Sequence, residues 1–470
     1  MRRILTFFVL AIVFAGFAAP IAADSPITIT SNKLTNNFRE NLLFQVGAES
    51  SAAQIARVEL LVQIEGVPSL GRFTAEFMPG TAIQATYEWN LARNYLPPGV
   101  TGQYWWEIQD SVDNQVQSPR QPFRVEDQAH AWKQVSNEKL AVYWYAGSDN
   151  VVASPASDDV NLLGLIFAAT GAFAALVSIV LAIIFHKRRV LLAVFVLVSL
   201  CSCATPLLVF RSVGDARPRG DTRPISFGQA LFDHGVNSVA FLERDTGVTV
   251  ERQIQIYVYG NRDDFFNAMQ PGTKEWTGGR AYPDYGIVMI NISPSELDWG
   301  KRAVAHEITH QVIHQAVRSP LGDLSLPPLI DEGLAVYYES PGSPDPQFVN
   351  PLKRAIQNDT LISLRSLTSG FPTDSNAATL SYAESYSVVD FIFRHYGRDK
   401  MAQLLQAFKQ GGLSDDILVH VFGVNLDSLE IVWRQDIGAK PRAIPTRSLT
   451  TATPFPTFSL STEATPTPSR

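Results

Sequence analysis

Between Leu162 and Phe185 the chain runs for 24 residues without a charged side chain (LLGLIFAATGAFAALVSIVLAIIF). As a helix this stretch is about 36 Å long, enough to cross a hydrocarbon core of about 30 Å, and a run of that length is the signature of a transmembrane helix. After the basic turn His186-Lys187-Arg188-Arg189 comes a second uncharged run, Val190 to Phe210, again about one span long and interrupted only by Pro206. Together they predict a transmembrane helical hairpin over 160–210 (162–185 and 190–210). The positive-inside tendency places the basic turn in the cytoplasm and both ends of the hairpin outside, with Asp158 and Asp159 at the first. Arg211, Arg217, Arg219 and Arg223 pull the other way. Were the second run not to span, everything after it would be cytoplasmic.

Residues 1–23 read as a secretory signal peptide: Arg2 and Arg3 form the positive region, Ile4 to Phe17 the apolar one, and Pro20-Ile21-Ala22-Ala23 a small-residue end. The alternative, an uncleaved anchor helix, also exports the chain beyond it. The expected location is the cell membrane, with the folded parts outside the cytoplasm. Leu200-Cys201-Ser202-Cys203 looks like a lipoprotein processing site with Cys203 as the lipidated residue, at an unusual internal position. Those two cysteines are the only ones, so neither a disulfide framework nor a Cys-based zinc site can be built. Any metal must be held by His and carboxylates. Thirty-eight Lys and Arg against 45 Asp and Glu give a net charge of −7, and no long basic stripe occurs that could neutralise a phosphate backbone. Nucleic acid is therefore not an expected partner, and nothing in the sequence fixes an oligomeric state.

Before the hairpin, 24–128 shows short alternating runs between turn signals: Leu42-Phe44-Val46, Val58 to Ile64, Phe73 to Phe77, Tyr87-Trp89, Tyr104 to Ile108 and Phe123-Val125. This spacing predicts an all-β sandwich, and Tyr104-Trp105-Trp106-Glu107-Ile108 followed by a turn at Asp113-Asn114 looks like the last hairpin of an immunoglobulin-like module. No catalytic constellation appears in it. Residues 129–148 contain one more strand, Leu140 to Tyr145. After the hairpin, 224–438 predicts an α+β domain: a helix over 229–243, strands at 254–259 and 287–292, then helices at 299–317, 329–339, 347–357, 379–395, 399–409, 413–421 and 426–436. The tail 443–470 is rich in Thr, Pro and Ser and is expected to be disordered.

The chemistry lies in Ala305-His306-Glu307-Ile308-Thr309-His310, an HExxH motif on a predicted helix. That spacing puts two imidazoles one turn apart on one face, where both can bind one Zn²⁺. Glu307 falls on the flank, placed to take a proton from a zinc-activated water and pass it to the leaving amine. A catalytic zinc needs a third ligand and an open position. Leu329-Ile330-Asp331-Glu332-Gly333-Leu334-Ala335 offers Glu332 at the start of a second helix, and the intervening loop, with Pro327-Pro328 at its end, permits an antiparallel return. Gly333 allows close helix approach. His314 continues the row but sits about 12 Å along the helix from His306, too far to share one metal. Glu339, two turns beyond Glu332, has the same difficulty. Asp331 could orient a ligand imidazole or could point to another face. Tyr382 and Tyr386 share one face of a later helix, and either could be a phenol donor to an oxyanion or a packing residue.

On these residues the segment resembles the gluzincin metallopeptidases, the group containing thermolysin and aminopeptidase N. It is more closely similar to the peptidase MA-like family, in which HExxH is followed by an E-G-L-A helix. The resemblance covers roughly 226–438 and extends to the strand 140–145. It implies His306, His310 and Glu332 as zinc ligands, Glu307 as catalytic base, and Tyr382 or Tyr386 as oxyanion donor. It also implies that Thr277 to Ala281, before the strand Ile287 to Ile292, forms an edge along which a peptide or protein substrate adds as a strand. One departure stands out: about 75 residues of membrane hairpin separate the Tyr-Trp-Tyr strand from the helix that the family places almost directly after it.

The sequence therefore reads as a multidomain chain: an immunoglobulin-like sandwich, a transmembrane hairpin and a gluzincin-type α+β domain that hydrolyses peptide bonds with zinc. The rival reading is a non-enzymatic membrane sensor or scaffold that keeps a peptidase-like domain for binding.

Overall fold

The computed structural model describes residues 25–145 and 226–442, apart from 276, 320–325, 341, 343 and 413. The expected signal peptide, the hairpin at 160–210, Cys203 and the tail at 443–470 lie outside the described residues. Among the described residues, no helix is long and apolar enough to cross a membrane.

The N-terminal part is a sandwich of eight strands: β1 (Ile27–Asn37), β2 (Asn41–Ser50), β3 (Ile55–Ile64), β4 (Leu70–Thr74), β5 (Ala82–Asn90), β6 (Thr101–Asp110), β7 (Gln115–Gln117) and β8 (Gln121–Arg124). One sheet has the order β1-β2-β5 and the other β4-β3-β6-β7, with β8 also pairing to β6. Alternation drives it: Phe44 and Val46 of β2 meet Val58 and Leu60 of β3 and Trp106 and Ile108 of β6, all fully buried. Strand β1 carries no alternating apolar run because it is an edge strand of which only Ile27 is buried. The β6–β7 hairpin turns at Asp113, a non-glycine residue with φ of 67°, and Asn114. The two tryptophans of β6 are spoken for: Trp106 donates Nε1–H to Asn32 Oδ1, and Trp105 lies under the Arg120 guanidinium.

The C-terminal part begins inside the first continuous stretch, with β9 (Lys133–Ser136) and β10 (Leu140–Trp144). It resumes after the gap with helix α1 (Phe227–Thr246), β11 (Ile254–Tyr259), α2 (Arg262–Ala268), β12 (Gly279–Tyr282) and β13 (Ile287–Asn291). A helical array comes next: α3 (Leu297–Val317), α4 (Pro328–Glu339), α5 (Pro346–Asn358), α6 (Leu364–Leu367), α7 (Ser375–Tyr396), α8 (Arg398–Gln410), α9 (Ser414–Phe422) and α10 (Leu426–Asp436). Helices α2 and α6, of 7 and 4 residues, give no signal in the periodicity because neither is long enough to display one.

Five strands form one mixed sheet in the order β12-β13-β11-β10-β9, parallel at β13/β11 and β11/β10 and antiparallel at both edges. The central strands IQIYVY and IVMIN are apolar on both faces, which requires two covers. Ile254, Ile256, Val258, Val288 and Ile290 face α1 and α3, while Tyr257, Tyr259, Ile287 and Met289 face the sandwich. The molecule is thus three-layered, and the sandwich core runs continuously into the sheet. Tyr259 donates to Asp127 Oδ2 at 3.0 Å and Arg124 to Tyr257 Oη at 2.8 Å across this joint.

The described residues on either side of 146–225 come together. Strand β10 pairs with β11 along its length, and a Cβ placed on Gly228 of α1 would lie 2.2 Å from the Trp144 ring. Lys139 also bridges both Glu243 oxygens at 2.6 and 2.7 Å.

Candidate metal centre

Helix α3 packs Val304, Ile308 and Val312 onto the sheet and thereby turns His306 and His310 the opposite way, toward α4 and α7. Helix α4 opens on Pro328, whose fixed φ suits a first helical turn, and its Gly333 lets it press against α7. A Cβ there would be 2.6 Å from the Ser385 carbonyl oxygen. That crossing carries Glu332 to the two imidazoles.

Nε2 of His306 and Nε2 of His310 are 3.3 Å apart, and each is 3.4 Å from Glu332 Oε2. Ligands about 2.0–2.1 Å from a tetrahedral metal stand roughly 3.3–3.4 Å from one another, so the three atoms form the face of such a site. The outer nitrogens are held by carboxylates: His306 Nδ1 by Glu339 Oε2 at 3.2 Å and His310 Nδ1 by Asp331 Oδ1 at 2.8 Å. A carboxylate accepts, so each Nδ1 carries a proton, and each Nε2 is the nitrogen that would turn a lone pair to a cation on giving up its own. Asp331 spans two residues, since its Oδ2 also lies 3.1 Å from His314 Nε2. Glu332 Oε2 is buried with no hydrogen-bond partner. Two lone pairs and an unpartnered buried carboxylate oxygen converging on one point are what a divalent cation satisfies, and these residues could hold one.

The electrostatics draw positive charge to this point, whether a proton or a cation. Burial opposes protonation of His306, but Glu332 and Glu339 outweigh it and push the imidazole up to about 10. For His310 burial likewise opposes, and Asp331 and Glu332 carry it well above its ordinary value. Burial works against ionisation of Glu332, yet His310 and His306 hold it down at about 2. The cluster is an anionic cradle that draws positive charge.

Glu307 occupies the flank, 7% exposed, and burial raises its carboxyl above the usual range against the pull of His306 and His310. It faces β12: a Cβ on Gly279 would be 2.5 Å from Glu307 Oε1 and would push the carboxylate aside. β12 is the end strand of its sheet among the described residues. From α7, the Tyr382 ring lies 6.4 Å from the His306 ring. Burial raises its phenol far above the ordinary value, and Glu332, Glu307, Asp331 and Glu339 add to the rise. Tyr386 is elsewhere: it stacks on Tyr337 at 6.2 Å, and burial with Asp390 and Tyr337 pushes it up to about 12.

Residues 235–439 match the family model of the Peptidase MA superfamily. The C-terminal domain is similar to the domains of that superfamily. No curated protein matches the chain. The match begins within α1 and ends just past α10, so the peptidase MA domain as matched excludes β9 and β10, although β10 is an inner strand of its sheet. A peptidase domain of this kind implies peptide or protein as the substrate class.

The structure thus brings together His306, His310, Glu332, Glu307 and Tyr382 and leaves Tyr386 apart. On sequence grounds Glu339 enters only as a third ligand too far along its helix. It lies two turns from Glu332 on the same helix face, but that step alone does not single it out as the partner of His306 Nδ1. The glycine beneath Glu307 leaves no sequence signal beyond a Thr-Gly-Gly turn.

Proposed function

We propose that the chain is a membrane-anchored zinc metallopeptidase that hydrolyses peptide bonds with Glu307 as general base. The observation that carries this reading is the triangle of His306 Nε2, His310 Nε2 and Glu332 Oε2 with the buried Glu307 carboxylate beside it. Zinc, when bound, supplies Lewis acidity that polarises the scissile carbonyl and eases deprotonation of water. Asp331 and Glu339 orient the imidazoles through Nδ1. Glu307, whose carboxyl is raised by burial and therefore basic, takes a proton from the attacking water and delivers it to the leaving nitrogen. Tyr382, kept protonated by its buried anionic surroundings, donates its O–H to the oxygen that becomes negative. The open edge of β12 offers backbone groups to an extended peptide beside Glu307.

The case for an anchor rests on the uncharged runs at 162–185 and 190–210 together with the meeting of Trp144 and Gly228. A single crossing would leave β10 and α1 on opposite sides of the membrane, where they could neither pair nor pack. An even number of crossings, as in a hairpin, keeps the sandwich and the peptidase MA domain in one compartment, and the signal-like residues 1–23 favour the one outside the cytoplasm.

Elemental analysis of purified wild type beside Glu332→Ala tests the site, and peptide hydrolysis by Glu307→Gln tests the mechanism. One zinc per chain, lost in the first variant, and activity abolished with zinc retained in the second are expected. A folded wild type without zinc, or an active Glu307→Gln, overturns the reading. Protease digestion of the 443–470 tail on intact cells separates an outward from a cytoplasmic domain.

A further inference from the structure

We infer that Trp299 forms an apolar subsite of the substrate cleft and gives the peptidase a preference for extended peptides carrying a bulky aliphatic or aromatic side chain near the scissile bond. The inference deepens the peptidase reading and rests on it. Trp299 is 36% exposed, one of only a few large apolar side chains left open among the described residues. It stands in the first turn of α3, and Trp299, Arg302, His306 and His310 succeed one another at three- and four-residue steps, so the indole begins the row that ends in the metal ligands.

Where the indole points is fixed by glycine. A Cβ on Gly278 would lie 3.3 Å from Trp299 Cη2, in contact with the tip of the ring, while a Cβ on the next residue, Gly279, would strike Glu307 Oε1. Two consecutive residues at the start of β12, the end strand of its sheet among the described residues, thus lie beside the indole and the proposed general base. Consecutive Cα atoms being 3.8 Å apart, ring tip and carboxylate lie within roughly 13 Å of each other, the span of about four residues of extended peptide. A substrate strand paired to β12 with its reacting carbonyl beside Glu307 therefore passes the ring with a side chain one to three residues away. Gly278 directly precedes β12, and its carbonyl accepts from Asn291 N at 2.8 Å, so the chain is still tied to the sheet where the indole meets it. Across the His306 ring, Tyr382 packs on Phe371 at 5.0 Å and Phe348 at 6.2 Å, so the surroundings of the metal position are aromatic on that side as well. Arg302, between Trp299 and His306, is turned to Asp345 Oδ2 at 3.2 Å, which leaves the indole as the part of the row open to an apolar side chain.

The test uses the full zinc-loaded chain in detergent and a library of internally quenched peptides in which each position flanking the cleaved bond is either Leu or Phe, or Ala or Ser. Wild type should cleave the bulky apolar peptides with higher kcat/KM at one flanking position. Trp299→Ala should collapse that ratio about 10- to 100-fold, chiefly through KM, the amount one well-filled apolar pocket discriminates. Trp299→Phe, which keeps a ring and guards against a folding defect, should retain most of it. A wild type with no side-chain preference, or a preference unchanged in Trp299→Ala, overturns the subsite while leaving the peptidase standing. A zinc-loaded wild type that cleaves no peptide overturns both.

Discussion

Asp331 Oδ1 lies 2.8 Å from Nδ1 of His310, on the far side of the imidazole from the nitrogen that faces the metal position. Asp331 precedes the third ligand in sequence, so one helical turn of α4 supplies both a ligand and the group that aims another ligand. Groups of this kind set the tautomer and raise the basicity of the ring. Asp331→Ala should therefore weaken zinc binding about 10- to 100-fold, measured by competition with a chromophoric chelator, whereas Glu332→Ala should abolish it. An unchanged affinity in Asp331→Ala would show that packing alone holds His310.

The two tyrosines of α7 are predicted to behave differently although they share a helix face. Only Tyr382 is raised by the site's carboxylates, and only its ring approaches His306. Removing a single oxyanion donor costs about 10²–10³ in kcat. Tyr382→Phe should show a loss of that order with zinc content retained, and Tyr386→Phe should stay within a few-fold of wild type. Equal losses would remove the oxyanion role.

How far such a site can be read without coordinates depends on whether it is written in local spacing. His306, Glu307 and His310 are one turn of one helix, and Glu332 comes after a loop that permits an antiparallel return, at the start of the next helix, so spacing exposes all four. Their partners are a matter of crossing angles. Nothing in the sequence says that α4 rotates Glu339 rather than Asp331 onto His306, or that the glycine under Glu307 is residue 279. The sandwich is legible where strands alternate, at Phe44 and Leu60, and illegible at β1, whose side chains mostly meet water. The sheet shows itself in two runs apolar on both faces, but the strand completing it, β10, lies beyond a gap of 80 residues, and its pairing with β11 is a tertiary fact.

Gly333 is the contact point of that crossing, and its hydrogen is the only side chain that fits. In Gly333→Ala the methyl would meet backbone, the Ser385 carbonyl oxygen at 2.6 Å and carbon at 2.9 Å, which no rotamer change can relieve. The helices must separate. Overpacking of this kind costs about 1–3 kcal/mol, and a melting temperature lower by several degrees is expected. Because Glu332 rides on the same turn, zinc affinity should fall as well, which distinguishes this outcome from a substitution that only loosens the core. A variant as stable as wild type would mean that α4 and α7 are not in van der Waals contact there.

Glu384, also on α7, is fully buried, accepts from Ile362 N at 2.9 Å through Oε1 and leaves Oε2 without a partner. Burial pushes its carboxyl up to about 8, only partly opposed by the Ile362 amide and by Arg434. Its ordinary value being 4.5, between there and about 8 the folded chain holds a proton that the unfolded chain has released. Protons are then lost on unfolding, and stability must fall as pH rises through that window, by up to about 1.4 kcal/mol per unit for one group. Below about 4.5 both states are protonated and the contribution is flat. Glu384→Gln keeps a neutral acceptor at the same place, so the variant should lose this part of the slope and surpass wild type in stability at pH 8 and above. Chemical denaturation of both proteins at pH 5, 6.5 and 8 measures it. Parallel profiles would show that Glu384 is ionised in the fold, compensated by the Arg434 side chain.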